Sequence, residues 1–546
     1  MRKTVCLMVI AGLVSILNLT AAAQENAYDL LIRNGRLVDG TGAPWYRADV
    51  GIRQGRIAAI GRLKDAKATR TIDVEGLIVA PGFIDMMGQQ ARYFLDGRNA
   101  AFNLLTQGIT TINCGEGDSD APLGEAEGKL AGWRTMREFF ALLETRGMPM
   151  NVVQTVGHTQ LRRLIVGSED KRATPEQMEK MRALAREAME AGAIGLSTAL
   201  IYPPAVYAPE DEITELAKVA GEYGGRYYTH MSNEGDRLLE AIDEALRIGT
   251  AANAPVHIFH LKTAGRANWG KMDLAIARIQ AARAAGQEVG ADVYPYVNNG
   301  LPICAMIHPR HSAKGPEDLQ RRLNDPQIRA EIRREMETGA GWENWFAHTG
   351  HDWDRVMIGR IQDPAYAQHN GKSVAEIARA EKRDPWDVFF ALARAGAFAM
   401  PQSMSEANKI RAMKQDFVSF DTDTGPIGEP ANASHPRAYG AFPRVLARYV
   451  RELGALTLEE AVHRMTAVAA NEIMAYDRGR LATGLAADVA IFDPQTIRDR
   501  ATFGQPAEIS EGMKFVIVNG AIVIEGGKFT GATPGKVLRG PGYRAD

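Results

Sequence analysis

Apolar residues in the first part of the chain fall into short, partly alternating runs separated by glycine-containing turns. These runs occupy residues 28–38, 48–52, 56–60 and 71–79. Alternation with a period of two, bounded by glycine, is typical of β-strands. Because all four runs precede the first helical pattern, the sequence predicts a small β-domain at the N-terminus.

From residue 81 the pattern changes to strand-length apolar runs that alternate with amphipathic helical runs. The predicted strands are residues 108–113, 193–197, 226–230, 256–260 and 289–294, and the predicted helices are residues 174–191, 210–223, 236–249 and 271–285. Repeated strand–helix units require parallel strands joined by helical crossovers. So many units in succession favour a closed (β/α) barrel over an open sheet.

Short strands return at the C-terminus, after a helical run at residues 456–475. The predicted C-terminal strands are residues 488–492, 515–518 and 521–524. Because the chain begins and ends in strands that flank the barrel, we expect the two ends to form one β-sandwich. Polar residues 302–355 interrupt the barrel pattern and predict a helical insertion over its mouth.

The predicted fold class is therefore α/β, with a (β/α)8 TIM-like barrel at residues 81–478. Residues 24–80 and 479–546 are assigned to the small β-sandwich. The length of 546 residues suits such a barrel with a satellite domain. The 64 basic and 66 acidic residues give a net charge of -2. Since these charges nearly cancel, we expect neither a nucleic-acid partner nor an anionic membrane surface.

The first residues have the three-part layout of an export signal. Arg2 and Lys3 precede an apolar run at residues 5–19, and residues 21–23 (AAA) offer a cleavage site. The run is shorter than the ~20 residues that span a bilayer. This favours a cleaved signal, consisting of residues 1–23, and argues against a membrane anchor. We expect a periplasmic or secreted protein that is free of the membrane after cleavage. Cleavage leaves Cys114 and Cys304, which favours two free thiols over one bridge.

Histidine is scarce, with 11 residues, and two of them occupy matching positions. His230 and His260 end the predicted strands of successive helix–strand units. The carboxyl ends of barrel strands converge on the barrel mouth, so these two imidazoles can reach one metal ion. Imidazole pairs suit zinc, which in catalytic sites keeps an open position for water. The sequence therefore predicts His230 and His260 as zinc ligands.

Carboxylates follow two other predicted strands. Asp423 lies in residues 417–425 (FVSFDTDTG), where it can deprotonate an attacking water beside the metal. Asp421 is the competing candidate for this general base. Glu116 and Cys114 follow the strand at residues 108–113 in the sequence CGEG. Both residue types bind zinc, so both remain open as a third ligand.

Distinctive segments occur throughout the barrel pattern. They are residues 79–85 (VAPGFID), 227–239 (YYTHMSNEGDRLL), 258–265 (IFHLKTAG), 292–296 (DVYPY), 435–449 (HPRAYGAFPRVLARY) and 483–492 (TGLAADVAIF). Together they resemble the D-aminoacylases, the N-acyl-D-amino-acid deacylase branch of the amidohydrolase superfamily. The resemblance covers nearly all of the mature chain. It implies zinc-dependent hydrolysis of the amide bond of N-acyl-(D-)amino acids to a carboxylate and a free amino acid.

The chain departs from the superfamily at one metal-binding motif. Amidohydrolases usually follow PGFID with an HxH pair, but Met87 and Gln89 stand at these positions here. Neither side chain replaces imidazole well, so we expect about one zinc per chain. D-aminoacylases hold one tight zinc with a strand-end cysteine and two later histidines. An alignment without gaps places that cysteine near Glu116 and Gly117 rather than at Cys114, so the resemblance favours Glu116, with Cys114 as the alternative.

The resemblance also implies residues that bind the substrate, a small N-acyl amino acid. Lys262, Tyr202 and Tyr294 match positions that hold the substrate carboxylate and orient the amide, and His158 is predicted to line the mouth. A homo-oligomer stays open. Two alternative functions also stay open: another amidohydrolase reaction, on cyclic amides or dipeptides, and a non-catalytic periplasmic binding protein derived from the same barrel.

Overall fold

Parallel strands form the barrel in the order that the sequence predicts. The computed structural model describes residues 27–97 and 101–545, so the predicted leader at residues 1–23 lies outside the described residues. The barrel strands are β1 (Phe83–Gly88), β2 (Ile109–Cys114), β3 (Asn151–Gln154 continued by Val156–Gly157), β4 (Gly195–Ala199), β5 (Arg226–His230), β6 (Val256–Ile258), β7 (Val289–Val293) and β8 (Val418–Phe420). Each pairs in parallel with the next from β1 to β8. The predicted barrel is confirmed.

A buried carboxyl group joins β8 to β1 and closes the barrel. Asp85 in β1 accepts hydrogen bonds from the Thr422 backbone N–H at 2.9 Å and from its hydroxyl at 2.5 Å. The Met87 backbone N–H also donates to it, at 3.2 Å. Burial raises the pKa of Asp85 to about 8, although these hydrogen bonds act in the opposite direction. The Asp85 side chain is therefore mainly neutral at pH 7.

Amphipathic helices cover the outside of the barrel. Helix Pro175–Ala191 begins with a capping box between Thr174 and Gln177 and ends at Gly192, which has a left-handed backbone. The other helices around the barrel are Phe102–Leu105, Glu125–Ala131, Met136–Arg146, His158–Ile165, Glu210–Glu222, Leu238–Ala252, Met272–Ala284, Glu406–Met413, Arg437–Arg444, Val445–Glu452, Leu458–His463, Arg464–Val468 and Ala469–Glu472. In the part of the chain that the structure describes, no helix has both the length and the apolar character to cross a membrane.

The insertion between β7 and β8 is larger than predicted and contains a sheet. Leu301–Pro302, Ala397–Pro401 and Val356–Ile361 form an antiparallel sheet in that order. The insertion also contains helices Pro316–Arg322, Pro326–Thr338, Trp345–His348, Val374–Glu381 and Pro385–Arg394. The boundary at residues 302–355 was therefore too narrow. The additional strands and helices alternate as in a barrel unit, and only their antiparallel pairing distinguishes them.

The two chain ends meet in one sheet domain, as predicted. Its strands are Lys528–Phe529, Ala521–Glu525, Met513–Val518, Val489–Phe492, Ile78–Pro81, Tyr28–Leu37, Tyr46–Arg53 and Arg56–Gly61 in that spatial order, with Ala68–Asp73 also paired to Tyr28–Leu37. Val489–Phe492 and Ile78–Pro81 pair antiparallel and join the two ends. The sheet has an apolar core with residues from both chain ends, and the Ile57 N–H donates to the carbonyl of Leu485 at 2.9 Å.

The neutral state of Asp85 predicts opposite results for two substitutions. Asp85→Asn should fold normally, because an amide can accept from the two backbone N–H groups and donate to the Thr422 hydroxyl. Asp85→Ala leaves both buried N–H groups unsatisfied, at about 1–3 kcal/mol each. Its unfolding midpoint in urea should therefore fall well below that of the Asn variant. Equal midpoints for the two variants would show that this contact does not hold the barrel closed.

Candidate active site

A glycine-flanked turn directs Glu116 into the barrel mouth immediately after β2. Gly115 and Gly117 have φ angles of 99° and 72°, in the left-handed region that favours glycine. A Cβ atom at Gly117 would lie 2.6 Å from the backbone nitrogen of Ala199 in β4. The sequence CGEG therefore allows the turn to pass close to a neighbouring strand and to place the Glu116 carboxylate over the barrel centre.

His230 and His260 reach the same point from β5 and β6. His230 is the last residue of β5, whereas His260 lies two residues beyond the end of β6 and has a φ of 37°. This uncommon backbone conformation is held by Asp292 in β7, which accepts a hydrogen bond from the His260 backbone N–H. The strand that supplies Asp292 thus sets the direction of the His260 side chain.

The three side chains converge on one point in the cavity. Glu116 Oε1 lies 2.6 Å from His230 Nδ1 and 3.1 Å from His260 Nε2. The two imidazole rings meet edge to face, with their centroids 4.4 Å apart. One carboxylate and two imidazoles that face each other in this way are a donor set that zinc prefers. The residues present therefore fit one zinc ion.

Cys114, the alternative third ligand, does not belong to this group. Its side chain is buried in the apolar core of the barrel, and burial raises the pKa of its thiol well above the ordinary value. The group of possible metal ligands at this site consists of Glu116, His230 and His260. Cys114, at the end of β2, faces the core, whereas the left-handed backbone at Gly115 and Gly117 turns Glu116 out of the strand and towards the mouth.

Glu234 is a site residue that the sequence interpretation missed. Its Oε1 lies 3.1 Å from His260 Nδ1, and Lys262 Nζ donates to the same oxygen at 2.5 Å. Burial raises the pKa of Glu234, but the nearby charges of Lys262 and the two histidines lower it by a larger amount. The pKa therefore lies well below the ordinary value, and the carboxylate is charged. A carboxylate that holds the second nitrogen of a ligand histidine orients its ring. Glu234 follows His230 by four residues in the sequence, and this spacing was the signal that could have identified it.

Lys262 therefore has a different environment from the one the resemblance implied. It lines the cavity, but its ammonium group is engaged by Glu234 and lies 2.6 Å from His260 Nδ1. Arg437, in the sequence HPRAYG, brings another positive charge into the cavity. Arg437 Nη1 lies 2.6 Å from Asp423 Oδ2, and its guanidinium group lies 4.9 Å from the centre of the Tyr294 ring.

Asp423 lies in the cavity, and Asp421 lies beneath it. Asp423 Oδ1 accepts a hydrogen bond from Gln89 Nε2 at 2.8 Å, and its Oδ2 faces Arg437. Asp421 is completely buried; burial and the nearby charge of Asp292 raise its pKa well above the ordinary value. Of the two candidates for the general base, the structure therefore places only Asp423 next to the metal ligands.

The cavity has a volume of about 680 Å³. Tyr202 and Tyr294 line it, and the Tyr202 ring packs against His230 with centroids 5.5 Å apart. His158 does not line it, which corrects the prediction. The His158 side chain is buried with its Nε2 2.9 Å from Glu212, because the helix that begins at His158 directs it towards helix Glu210–Glu222.

Comparison with known proteins now identifies the family. A sequence profile described as the amidohydrolase family matches residues 70–524. The chain belongs to the amidohydrolase family. A profile of the N-terminal domain of the urease alpha subunit also matches residues 15–83 of this amidohydrolase. The predicted amidohydrolase is thereby confirmed.

Individual relatives place this amidohydrolase among the D-aminoacylases, as the resemblance implied. D-aminoacylase from Alcaligenes xylosoxydans xylosoxydans is 34% identical over 532 residues, covering 94% of this chain and 98% of that protein. N-acyl-D-glutamate deacylase from Bordetella bronchiseptica, solved with zinc and a phosphonate mimic of the tetrahedral intermediate, is 32% identical with a TM-score of 0.78; the match covers 94% of this chain and 100% of that one. The expectation of a zinc cofactor is confirmed.

A further solved structure bears on the number of metal ions. It is a D-aminoacylase described as having a binuclear metal centre with one-metal activation and second-metal attenuation; it is 32% identical, with a TM-score of 0.78 and coverage of 94% and 100%. In this chain Met87 is completely buried among apolar side chains, and Gln89 is hydrogen-bonded to two carboxylates. The HxH positions therefore do not provide ligands for a second metal.

Zinc binding should depend on His260 and on pH. Burial and Lys262 lower the pKa of His260, but Glu234 and Glu116 raise it to about 9. Zinc must displace this proton, so its affinity should increase about tenfold per pH unit below pH 9 and then level off. Competition with a chelator across this range measures the slope.

His260→Ala should lose the metal, whereas His158→Gln, outside the cavity, should keep it. Two tightly held zinc ions in the wild type would contradict the assignment.

Proposed function

We propose that this amidohydrolase hydrolyses N-acyl-D-amino acids to a carboxylate and a free D-amino acid. The observation that carries the proposal is the arrangement of Glu116, His230 and His260 in one cavity with a carboxylate, Asp423, and a cation, Arg437. The similarity to D-aminoacylase and to N-acyl-D-glutamate deacylase over 94% of the chain supports the D configuration of the substrate. Hydrolysis of cyclic amides does not require a cation for a free α-carboxylate.

The side chains around the ligand group divide the reaction between them. Zinc held by Glu116, His230 and His260 would supply Lewis acidity to the scissile carbonyl and to the attacking water. Asp423 takes the proton of that water and transfers it to the leaving amine. Both Asp423 oxygens are already oriented, one by Gln89 and one by Arg437. The proton acceptor is thus preorganised before substrate binds.

The part of the cavity beside Asp423 is suited to the α-carboxylate of the substrate. The Arg437 guanidinium is planar and can bind a carboxylate through two parallel hydrogen bonds. Lys409 lies against Tyr294, with its Nζ 4.1 Å from the ring centre. Burial, and then the charge of Lys262, lower the pKa of Lys409 to about 7. We assign the α-carboxylate to Arg437 and Tyr294, with Lys262 serving the ligand group.

A substrate panel tests the proposed function. N-acetyl-D-amino acids should be hydrolysed with a kcat/KM at least about tenfold above that of their L-enantiomers, a difference of ~1.4 kcal/mol. Blocking the α-carboxylate as a methyl ester removes charged hydrogen bonds of about 1.5–3 kcal/mol and should lower kcat/KM about 10- to 100-fold. Release of free amine is measured with and without added zinc. Turnover of hydantoins or dipeptides but not of N-acyl amino acids would overturn the proposal.

The role of Asp423 is tested against its neighbour Asp421. Asp423→Asn keeps the shape but loses proton acceptance, so kcat should fall about 10²–10⁴-fold while zinc content stays unchanged. Asp421→Asn keeps the shape of a completely buried side chain that does not line the cavity, so its kcat should stay within about tenfold of the wild type, ~1.4 kcal/mol. A larger loss for Asp421→Asn, or loss of zinc from Asp423→Asn, would contradict these roles.

We also propose that the protein is exported. The support is the basic start, the apolar run and the small residues at positions 21–23. The mature N-terminus should lie near Gln24, and mass spectrometry of protein from the native host measures it. Retention of Met1 on the mature protein would contradict export through a cleaved signal.

A further inference from the structure

Gln89 lies between the two carboxylates that matter most for the proposed reaction. Its Nε2 donates to Glu116 Oε2 at 2.8 Å and to Asp423 Oδ1 at 2.8 Å. The other Glu116 oxygen faces the two histidines. The Glu116 carboxylate is therefore shared, with one oxygen directed to the metal site and one to the amide of Gln89.

Barrel closure places these three side chains in this order. Asp423 follows β8, Gln89 follows β1 and Glu116 follows β2, and these strands are consecutive around the closed barrel. The backbone also connects them, since the Gly115 N–H donates to the carbonyl of Gln89 at 2.9 Å. The position of Gln89 is thus set by the two loops that carry the carboxylates it joins.

Only the amide nitrogen of Gln89 can occupy this position. A side-chain NH₂ group has two hydrogens, and each of them meets one carboxylate oxygen. The flipped amide would direct its oxygen at two carboxylates, leaving three acceptors without a hydrogen between them. The contacts on both sides therefore fix the orientation of the amide.

We propose that Gln89 is a positioning residue whose amide takes the place of a cation between Glu116 and Asp423. Two carboxylates so close in a buried site need positive charge or hydrogen-bond donors between them. The relative with a binuclear centre is described as attenuated by its second metal. In this chain the amide supplies neutral donors between Glu116 and Asp423, so excess zinc has no place between these two carboxylates. This inference rests on the proposed function for its kinetic part.

Two variants test the inference together with a matched control. Gln89→Met keeps the length of the side chain and removes both hydrogens. It should retain about one zinc per chain and a KM within about threefold of the wild type, while kcat falls at least about tenfold, since a displacement of ~1 Å in a reacting group can cost about 10²-fold. Gln280→Met, on the exposed side of helix Met272–Ala284, should leave kcat, KM and zinc content unchanged.

The double variant Met87→His with Gln89→His tests whether a metal cation can take the place of the Gln89 amide. Glu116 and Asp423 should then bind a second metal together with the new imidazoles, and elemental analysis in excess zinc should find about two zinc ions per chain, against about one in the wild type. A wild-type kcat in Gln89→Met, or loss of its zinc, would overturn the positioning role. If the folded double variant binds only one zinc, the proposal that the Gln89 amide takes the place of a cation is wrong. If wild-type protein hydrolyses no N-acyl amino acid, the proposed function fails while the zinc count still decides this second point.

Discussion

Compensation of buried negative charge is the constraint on which the active site depends. Glu116, Glu234 and Asp423 are carboxylates in the cavity, and their side chains are almost completely buried. A buried charge is costly unless it is paired and hydrogen-bonded. Glu234 is paired with Lys262, Asp423 with Arg437, and Glu116 with two histidines on one side and an amide on the other. Only the Glu116–histidine side presents a donor set that fits a metal ion, so charge compensation directs zinc to that side.

The barrel supplies the geometry for this compensation. Parallel strands deliver their carboxyl ends to one mouth, so residues far apart in the sequence become neighbours there. Closure between β8 and β1 through Asp85 and Thr422 brings the loop of Asp423 beside Gln89. Asp292 in β7 holds the backbone of His260 in an uncommon conformation. His260 is therefore oriented by an adjacent strand as well as by its own.

The insertion supplies a wall of the cavity with apolar side chains, in contrast to the charged side chains at the metal site. Leu301, Trp345 and Phe398 belong to it and line the cavity together with Arg360. The insertion has its own apolar core, separate from that of the barrel. A wall built on a separate core can change its side chains without disturbing the metal ligands. We expect this wall to distinguish among acyl groups and side chains, while the barrel determines the chemistry.

The sequence alone located most of the barrel elements and two of the three metal-ligand candidates. Periodicity located the barrel strands, and the matching positions of His230 and His260 followed from it, because strand ends in a barrel share one mouth. Glu116 and Cys114 stayed undecided, since the direction of a turn depends on packing against β4, which no local pattern encodes. Only the tertiary structure showed that Lys262 is engaged by Glu234, that Arg437 faces Asp423, and that His158 points away from the cavity. These contacts join segments distant in sequence, and their geometry exists only after the barrel has closed.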